Sequence, residues 1–345
     1  MSITKEQVLE ALGKVLYFPQ HDNVVSLNMI RDIHLHGDHI HFTIFFPQRD
    51  ERNENVVLNA CVKAVEELAG KGSHIDARVE YPRNPLDKIG SIIAVASGKG
   101  GVGKSTVAAN LAVALSKTGA RTGILDADIY GPSIPIMFDV EKSRPEVYEE
   151  NGKQWIVPVQ NYGIKILSIG FFVDPGKALI WRGPMASNAL KQLFTEADWG
   201  ELDFLVVDLP PGTGDIHLTL VQEVPVAGVA IVTTPQEVAL ADARKAFSMF
   251  SQKDIQVPIL GLIENMSYFT PAELPDNKYF IFGREGGRKL AESSGIPLLG
   301  QIPLVQSVCE SGDKGRPSAL KNDTPEGKAF AELAGNVLKR LEELK

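Results

Sequence analysis

A glycine-rich loop between an apolar strand and a helix leaves this chain few folds to choose from. Ser97-Gly98-Lys99-Gly100-Gly101-Val102-Gly103-Lys104-Ser105-Thr106 follows directly on the run Ile92-Ile93-Ala94-Val95-Ala96 and leads directly into the helical stretch Val107 to Ser116. It satisfies G-x-x-x-x-G-K-[ST] in the strand, loop and helix context that a phosphate-binding loop requires. The glycines let the backbone curl so that successive N–H groups point at phosphate oxygens, and the helix N-terminus adds partial positive charge. On this reading Lys104 reaches the β and γ phosphates of ATP, and Ser105 gives its hydroxyl oxygen to Mg²⁺.

Two acidic segments complete the pattern. Leu125-Asp126-Ala127-Asp128 ends one apolar strand and Phe204-Leu205-Val206-Val207-Asp208 ends another, and ligands of such sheets bind at the carboxyl ends of the strands. Asp208 is the expected Mg²⁺-side acid, and Asp128 the expected positioner of the attacking water. Asp126 reads equally well as a strand-end turn residue. Gly212-Thr213-Gly214 is placed to change conformation when a γ-phosphate leaves.

The rest of the chain fits a sheet of this type. Apolar runs at 122–125, 164–169, 204–207, 228–232, 259–263 and 297–300 alternate with helical spacing, which predicts a doubly wound, mainly parallel α/β sheet over residues 91–345. Two prolines and mixed charges mark residues 83–90 as a linker. Before it, residues 1–82 read as a small α+β domain, with helices over 4–17 and 56–68, an alternating stretch over 33–45 and a short strand over 75–79. Its peculiarity is His34-Leu35-His36-Gly37-Asp38-His39-Ile40-His41. A hairpin turning at Gly37-Asp38 places all four histidines on one face, with Ile33, Leu35, Ile40 and Phe42 on the other. That face is either a plain solvated one or a divalent-metal site.

Charge and cysteine content narrow the function. Thirty-five Lys+Arg against 43 Asp+Glu give a net charge of −8, so the whole-molecule field repels nucleic acid and anionic lipid. No apolar run reaches the ~18 residues that span a bilayer, and the opening residues lack a signal peptide's basic-then-apolar order, so the expected location is cytoplasmic. The stripe Phe330, Leu333, Val337, Leu338, Leu341 and Leu344 faces a mixed-charge side, which fits a helix docked on the sheet rather than a lipid anchor. Two cysteines, Cys61 and Cys309, exclude a disulfide framework and a Cys-x-x-Cys clasp.

Lys99, together with Gly98, Gly100, Gly101, Val102, Gly103, Lys104, Ser105 and Thr106, resembles the deviant Walker A loop of the MinD/ParA class. Within that class, Asp126 to Ser133, Trp181-Arg182-Gly183-Pro184-Met185, Asp208 to Asp215 and Glu264-Asn265-Met266-Ser267 resemble the Mrp/ApbC family of iron–sulfur cluster carrier ATPases. The resemblance implies a homodimer in which Lys99 reaches the partner's phosphates, an adenine contact from Asn265, and delivery of a bound iron–sulfur cluster to recipient apo-proteins or exchange with cluster-assembly proteins. Added to Lys104 and Asp128 as read above, it makes Lys99, Lys104 and Asp128 the expected catalytic set. The family's Cys-x-x-Cys is missing after Ser267, where Tyr268-Phe269-Thr270-Pro271 stands instead, so the cluster ligands are open. A positioning ATPase of the MinD/ParA kind and an ATP-dependent ligase are the alternative readings.

Overall fold

The computed structural model describes residues 3–345 except 71, 151, 173–182, 215–216, 218–219, 222, 253–254, 256, 272 and 275–276. The chain separates into two compact units, Met1–Asn84 and Pro85–Lys345. Residues expected as linker up to 90 belong in part to the second unit. Pro85 and Leu86 are buried in a 3₁₀ turn over Pro85–Lys88, and the first strand of the second unit starts at Ile89. Proline fixes φ at the value such a turn needs, which is why the pair reads as a break in sequence and packs in the fold.

The first unit is built from helix α1 (Lys5–Leu12), strands β1 (Ile30–His36) and β2 (His39–Phe45), helix α2 (Glu51–Ala69) and strand β3 (His74–Glu80). Strands β1 and β2 form an antiparallel hairpin, and α2 carries the chain over to β3, which lies parallel to β2. Val8, Leu12, Ile40, Phe42, Ile44, Val57, Cys61 and Val65 form its core. The helix expected over 4–17 stops at Leu12. Thr4 caps its start with Gln7 in a reciprocal box, Gly13 caps its end, and Tyr17 is buried from a short strand instead.

The second unit centres on eight strands: β4 (Ile89–Ser97), β5 (Thr122–Asp126), β6 (Val159–Asn161), β7 (Ile164–Ser168), β8 (Leu202–Pro211), β9 (Val226–Thr233), β10 (Ile259–Glu264) and β11 (Leu298–Gln301). Their order is β6-β7-β5-β8-β4-β9-β10-β11, and every neighbouring pair is parallel except β6 with β7. The order reverses around β4, so the loop after that strand opens at the switch point where doubly wound sheets take ligands. The expected strands are all present. The short antiparallel edge β6 is an addition that the sequence did not signal, because three residues are too few to show a period.

Helix α3 (Lys104–Ser116) packs on the sheet with Val107, Ala108, Leu111, Ala112 and Leu115 buried. The C-terminal helix, α4 (Pro325–Glu343), buries Phe330, Leu333, Val337 and Leu341 against α3 and the last strands. Each such side chain contributes about 2 kcal/mol by leaving water, so this stripe is core. Leu344, expected with the stripe, is exposed just past the helix. Among the described residues no helix is long and apolar enough to cross a membrane.

Candidate functional site

The glycine loop runs from β4 into α3, and its shape follows from where side chains cannot go. Gly101 and Gly103 take φ of +81° and +80°, a region that L side chains rarely adopt. At Gly98 a Cβ would overlap the backbone of Asp242 and Ala243, so only glycine lets the loop pass this closely. Gly98→Ala is therefore expected to displace the whole loop, with nucleotide affinity falling at least ~100-fold while the exchange protection of the buried sheet persists. Native-state hydrogen exchange alongside nucleotide titration checks both halves, and near-parental affinity would show that the close approach is dispensable.

Lys104 is the first residue of α3, 6% exposed, and its ammonium is turned inward. Its Nζ donates to Oδ1 of Asp208 at 2.6 Å, lies 3.5 Å from Oδ2 of Asp128, and donates to Ser105 Oγ at 3.1 Å. Asp208 is fully buried in the second half of β8, which runs on to Pro211, and sits beside Asp126 in register. Its other oxygen, Oδ2, is buried without a hydrogen-bond partner. An unpartnered buried carboxylate oxygen beside a serine hydroxyl is the kind of donor set that hard cations take up. Asp208 is tied to the loop through the backbone as well, because Gly212 N donates to Ser97 O at 2.9 Å.

Burial raises the Asp208 carboxyl above the ordinary range, and the Lys104 ammonium draws it part of the way back. Among the described residues no lysine pairs with Asp126, and Lys104 lowers its carboxyl only from a distance. Burial pushes its carboxyl up to about 8, and the adjacent Asp208 adds to the rise. The structure shows what Asp126 does locally. Its Oδ1 accepts from Asp128 N, and its Oδ2 accepts from Ile134 N and from the Ser168 hydroxyl at 3.0 Å. It therefore braces the segment that carries Asp128 and is itself away from the cleft lining.

Asp128 in turn accepts from the backbone of Tyr130 and Gly131 through Oδ1, leaving Oδ2 toward Lys104. The open space above these groups is a cleft of about 230 Å³ lined by Lys99, Gly100, Gly101, Gly103, Lys104, Ser105, Thr106 and Asp128, with Ser133, Met137 and Pro211. Lys99 is half-buried at its lip. Val102 is buried beneath the loop rather than lining the cleft.

Asn265 reaches the loop from the end of β10. Its Nδ2 donates to Val102 O at 2.8 Å, and the side chain is buried. Glu264, one residue earlier, is fully buried and accepts from Ser267 Oγ and from Gln301 Nε2 at 2.8 Å. Met266 takes a positive φ of 54° between them. The Glu-Asn-Met-Ser segment thus splits into one residue aimed at the loop and neighbours that hold it there. Gly98, Lys99, Gly100, Gly101, Val102, Gly103, Lys104, Ser105, Thr106, Asp128, Asp208 and Asn265 are all brought together. Trp181, Arg182 and Asp215 lie outside the described residues.

One neighbour escaped the sequence reading. His217 is buried, with Nε2 3.1 Å from Pro210 O and Nδ1 3.2 Å from Gly214 N. Donation from Nε2 and acceptance at Nδ1 describe a neutral ring, and burial lowers its pKa in agreement. It clamps both ends of the 210–214 turn beside Asp208. An isolated histidine carries no sequence period that would have revealed this.

The two cysteines belong to different units. Cys61 is enclosed in the core of the first unit, where burial pushes its thiol up to about 12, and Cys309 is exposed on a short helix over Gln306–Asp313. Where the expected Cys-x-x-Cys is missing, Phe269 pairs through both backbone bonds with Tyr279 at 2.8 Å.

Comparison with known proteins agrees with this geometry. Residues 88–338 match the ParA family model, described as NUBPL iron-transfer P-loop NTPase. An iron–sulfur cluster carrier protein of a Synechocystis species is 42% identical over 97% of this chain and 97% of its own length. An Arabidopsis thaliana iron–sulfur protein required for mitochondrial NADH dehydrogenase is 48% identical over 75% of this chain and 82% of its own. Among solved structures, a nucleotide-binding protein of Archaeoglobus fulgidus in complex with ADP is 39% identical, covers 71% of this chain and 93% of its own, and superposes with a TM-score of 0.61.

Proposed function

From the premise that this chain belongs to the NUBPL iron-transfer P-loop NTPase family, we propose that it binds and hydrolyses ATP as a homodimer and carries iron–sulfur clusters to recipient proteins. The observation that supports the ATP half most strongly is the buried set of Lys104, Asp208 and Asp128 under a glycine loop open to a cleft. In this reading the loop N–H groups of Gly98 to Gly103 hold the phosphates, and Lys104 moves its ammonium from Asp208 to the β and γ phosphates. Ser105 and the free Oδ2 of Asp208 are the groups that fit Mg²⁺, directly or through water. When bound, Mg²⁺ supplies positive charge that neutralises the phosphates.

Asp128, held by two backbone N–H groups, orients the attacking water. With Nδ2 of Asn265 committed to Val102, its amide oxygen is the atom available to the exocyclic amine of adenine. Lys99 stays at the lip, away from the buried acids, where a partner's phosphates would meet it. Hydrolysis is then slow in the lone subunit and faster in the dimer.

The cluster itself is cargo, and its ligands are the part of the reading that departs from a four-thiolate pattern. Cys61 is enclosed, so the exposed Cys309 is the one thiol offered by each chain as folded. Anaerobic reconstitution with iron and sulfide, followed by transfer to an apo-ferredoxin, tests the carrier function. Cluster absorbance that transfers is the expected result; no bound iron and sulfide would leave an ATPase without this cargo. The packed C-terminal helix gives no support to a lipid-bound positioning ATPase. No feature of the described cleft selects a ligase reading.

A further inference from the structure

The first unit carries a histidine array that the ATP site does not use. Strand register sets His36 opposite His39 and His39 opposite His74, while His34 sits opposite His41 and His41 opposite Asp76. Residues opposite one another share a face, and residues two apart along a strand share it too, so these six form two rows across β1, β2 and β3. The other face, with Ile33, Leu35, Ile40, Phe42 and Ile75, turns into the core. Five of the chain's seven histidines thus stand on one solvated surface.

The rows differ in how they are satisfied. In the second, Asp76 already meets His41 Nδ1 at 3.1 Å and Arg78 at 3.1 Å. Beside the first, Asp38 of the hairpin turn joins in: ligand atoms of Asp38, His39 and His74 all lie within 4.8 Å of one another, and the rings of His39 and His74 stack 4.8 Å apart at 16°. A tetrahedral ion with bonds of about 2.05 Å needs donors about 3.3 Å apart. His39 and Asp38 are 67% and 66% exposed, so both side chains are free to close that distance.

We propose that this row binds one divalent ion of the zinc or ferrous class through His39, His74 and Asp38, with His36 as a fourth donor. Imidazoles with a single carboxylate suit such ions, whereas magnesium and calcium prefer oxygen donors. The site is independent of the nucleotide reading and requires no thiol. It also shows why the hairpin alone is incomplete, since His74 arrives from a strand 35 residues beyond His39, set beside it by the parallel register.

Titration of the metal-stripped full-length protein with Co²⁺, in excess Mg²⁺, tests the assignment. One equivalent should bind with the intense visible absorption of a tetrahedral centre, and Zn²⁺ should displace it. His39→Asn, His74→Asn and Asp38→Asn, all at exposed positions, should each weaken binding at least ~10-fold. His21→Asn, which changes an exposed histidine outside the array, should leave it unchanged. No saturable band, a band that survives both histidine substitutions in the row, or an equal loss in the His21 variant would overturn the proposal.

Discussion

Lys104→Met is expected to abolish nucleotide binding and to remove about 3 kcal/mol from the stability of the nucleotide-free protein. The second effect follows from burial. Asp208 is fully enclosed and Asp128 nearly so, and Lys104 is the cation between them at 2.6 and 3.5 Å. Methionine fills the same space without a charge, so the carboxyls must either stay ionised unpaired or take up protons. They take up protons, because a buried charge without a partner costs more than a pKa shift.

That choice gives the variant a pH signature. Asp126, raised to about 8, and Asp208, also raised, bind protons more tightly in the folded chain than in the unfolded one. Stability from such groups is complete below the carboxylate range of the unfolded chain and is lost as pH rises through the folded values. Removing Lys104 raises both carboxyls further, so the deficit of the variant should widen as pH rises from the ordinary carboxylate range toward the value of about 8 already held by Asp126. Urea denaturation of both proteins at several pH values measures it. Parallel pH profiles would mean that the lysine and the acids are not electrostatically joined in the folded state.

The parts of this site that were legible in sequence are those that lie contiguously. The loop from Gly98 to Thr106 announces itself because glycine, lysine and hydroxyl must follow one another to wrap a phosphate. Asp208 does so because an apolar strand closed by an acid has few other uses. What stayed hidden depends on register between distant strands. Ser168, Asp126 and Asp208 stand side by side across three neighbours, and only that adjacency turns Asp126 from a turn residue into a brace. His74 was hidden for the same reason. Asn265 was visible as part of a motif, whereas its bond to Val102 requires β10 to end beside the loop. In the fold, long apolar strands showed clearly, and the three-residue edge β6 did not. The helix over 4–17 was overextended because Val15 and Leu16 continue the apolar spacing beyond Gly13.

Lys99→Ala should separate binding from turnover. Lys104 already occupies the interior of the cleft, and Lys99 stands half-buried at the lip, so its own subunit does not depend on it to enclose the acids. Nucleotide affinity is expected to stay within about threefold of the parent, since a rim charge adds little to a site already built of backbone N–H groups. Turnover is expected to fall ~100-fold or more, the scale on which a cation donated to a phosphoryl-transfer transition state acts. The parent's activity per chain should also climb with protein concentration as subunits associate, and the variant's should stay low throughout. A mixture adds the decisive comparison. Lys99→Ala retains a working loop but lacks the cation to donate, whereas Lys104→Met retains Lys99 but cannot hold nucleotide, so combining the two should restore part of the activity that neither shows alone. Unchanged turnover in Lys99→Ala, at every concentration, would place the catalytic charge within one subunit and remove the reason for this second lysine in the loop.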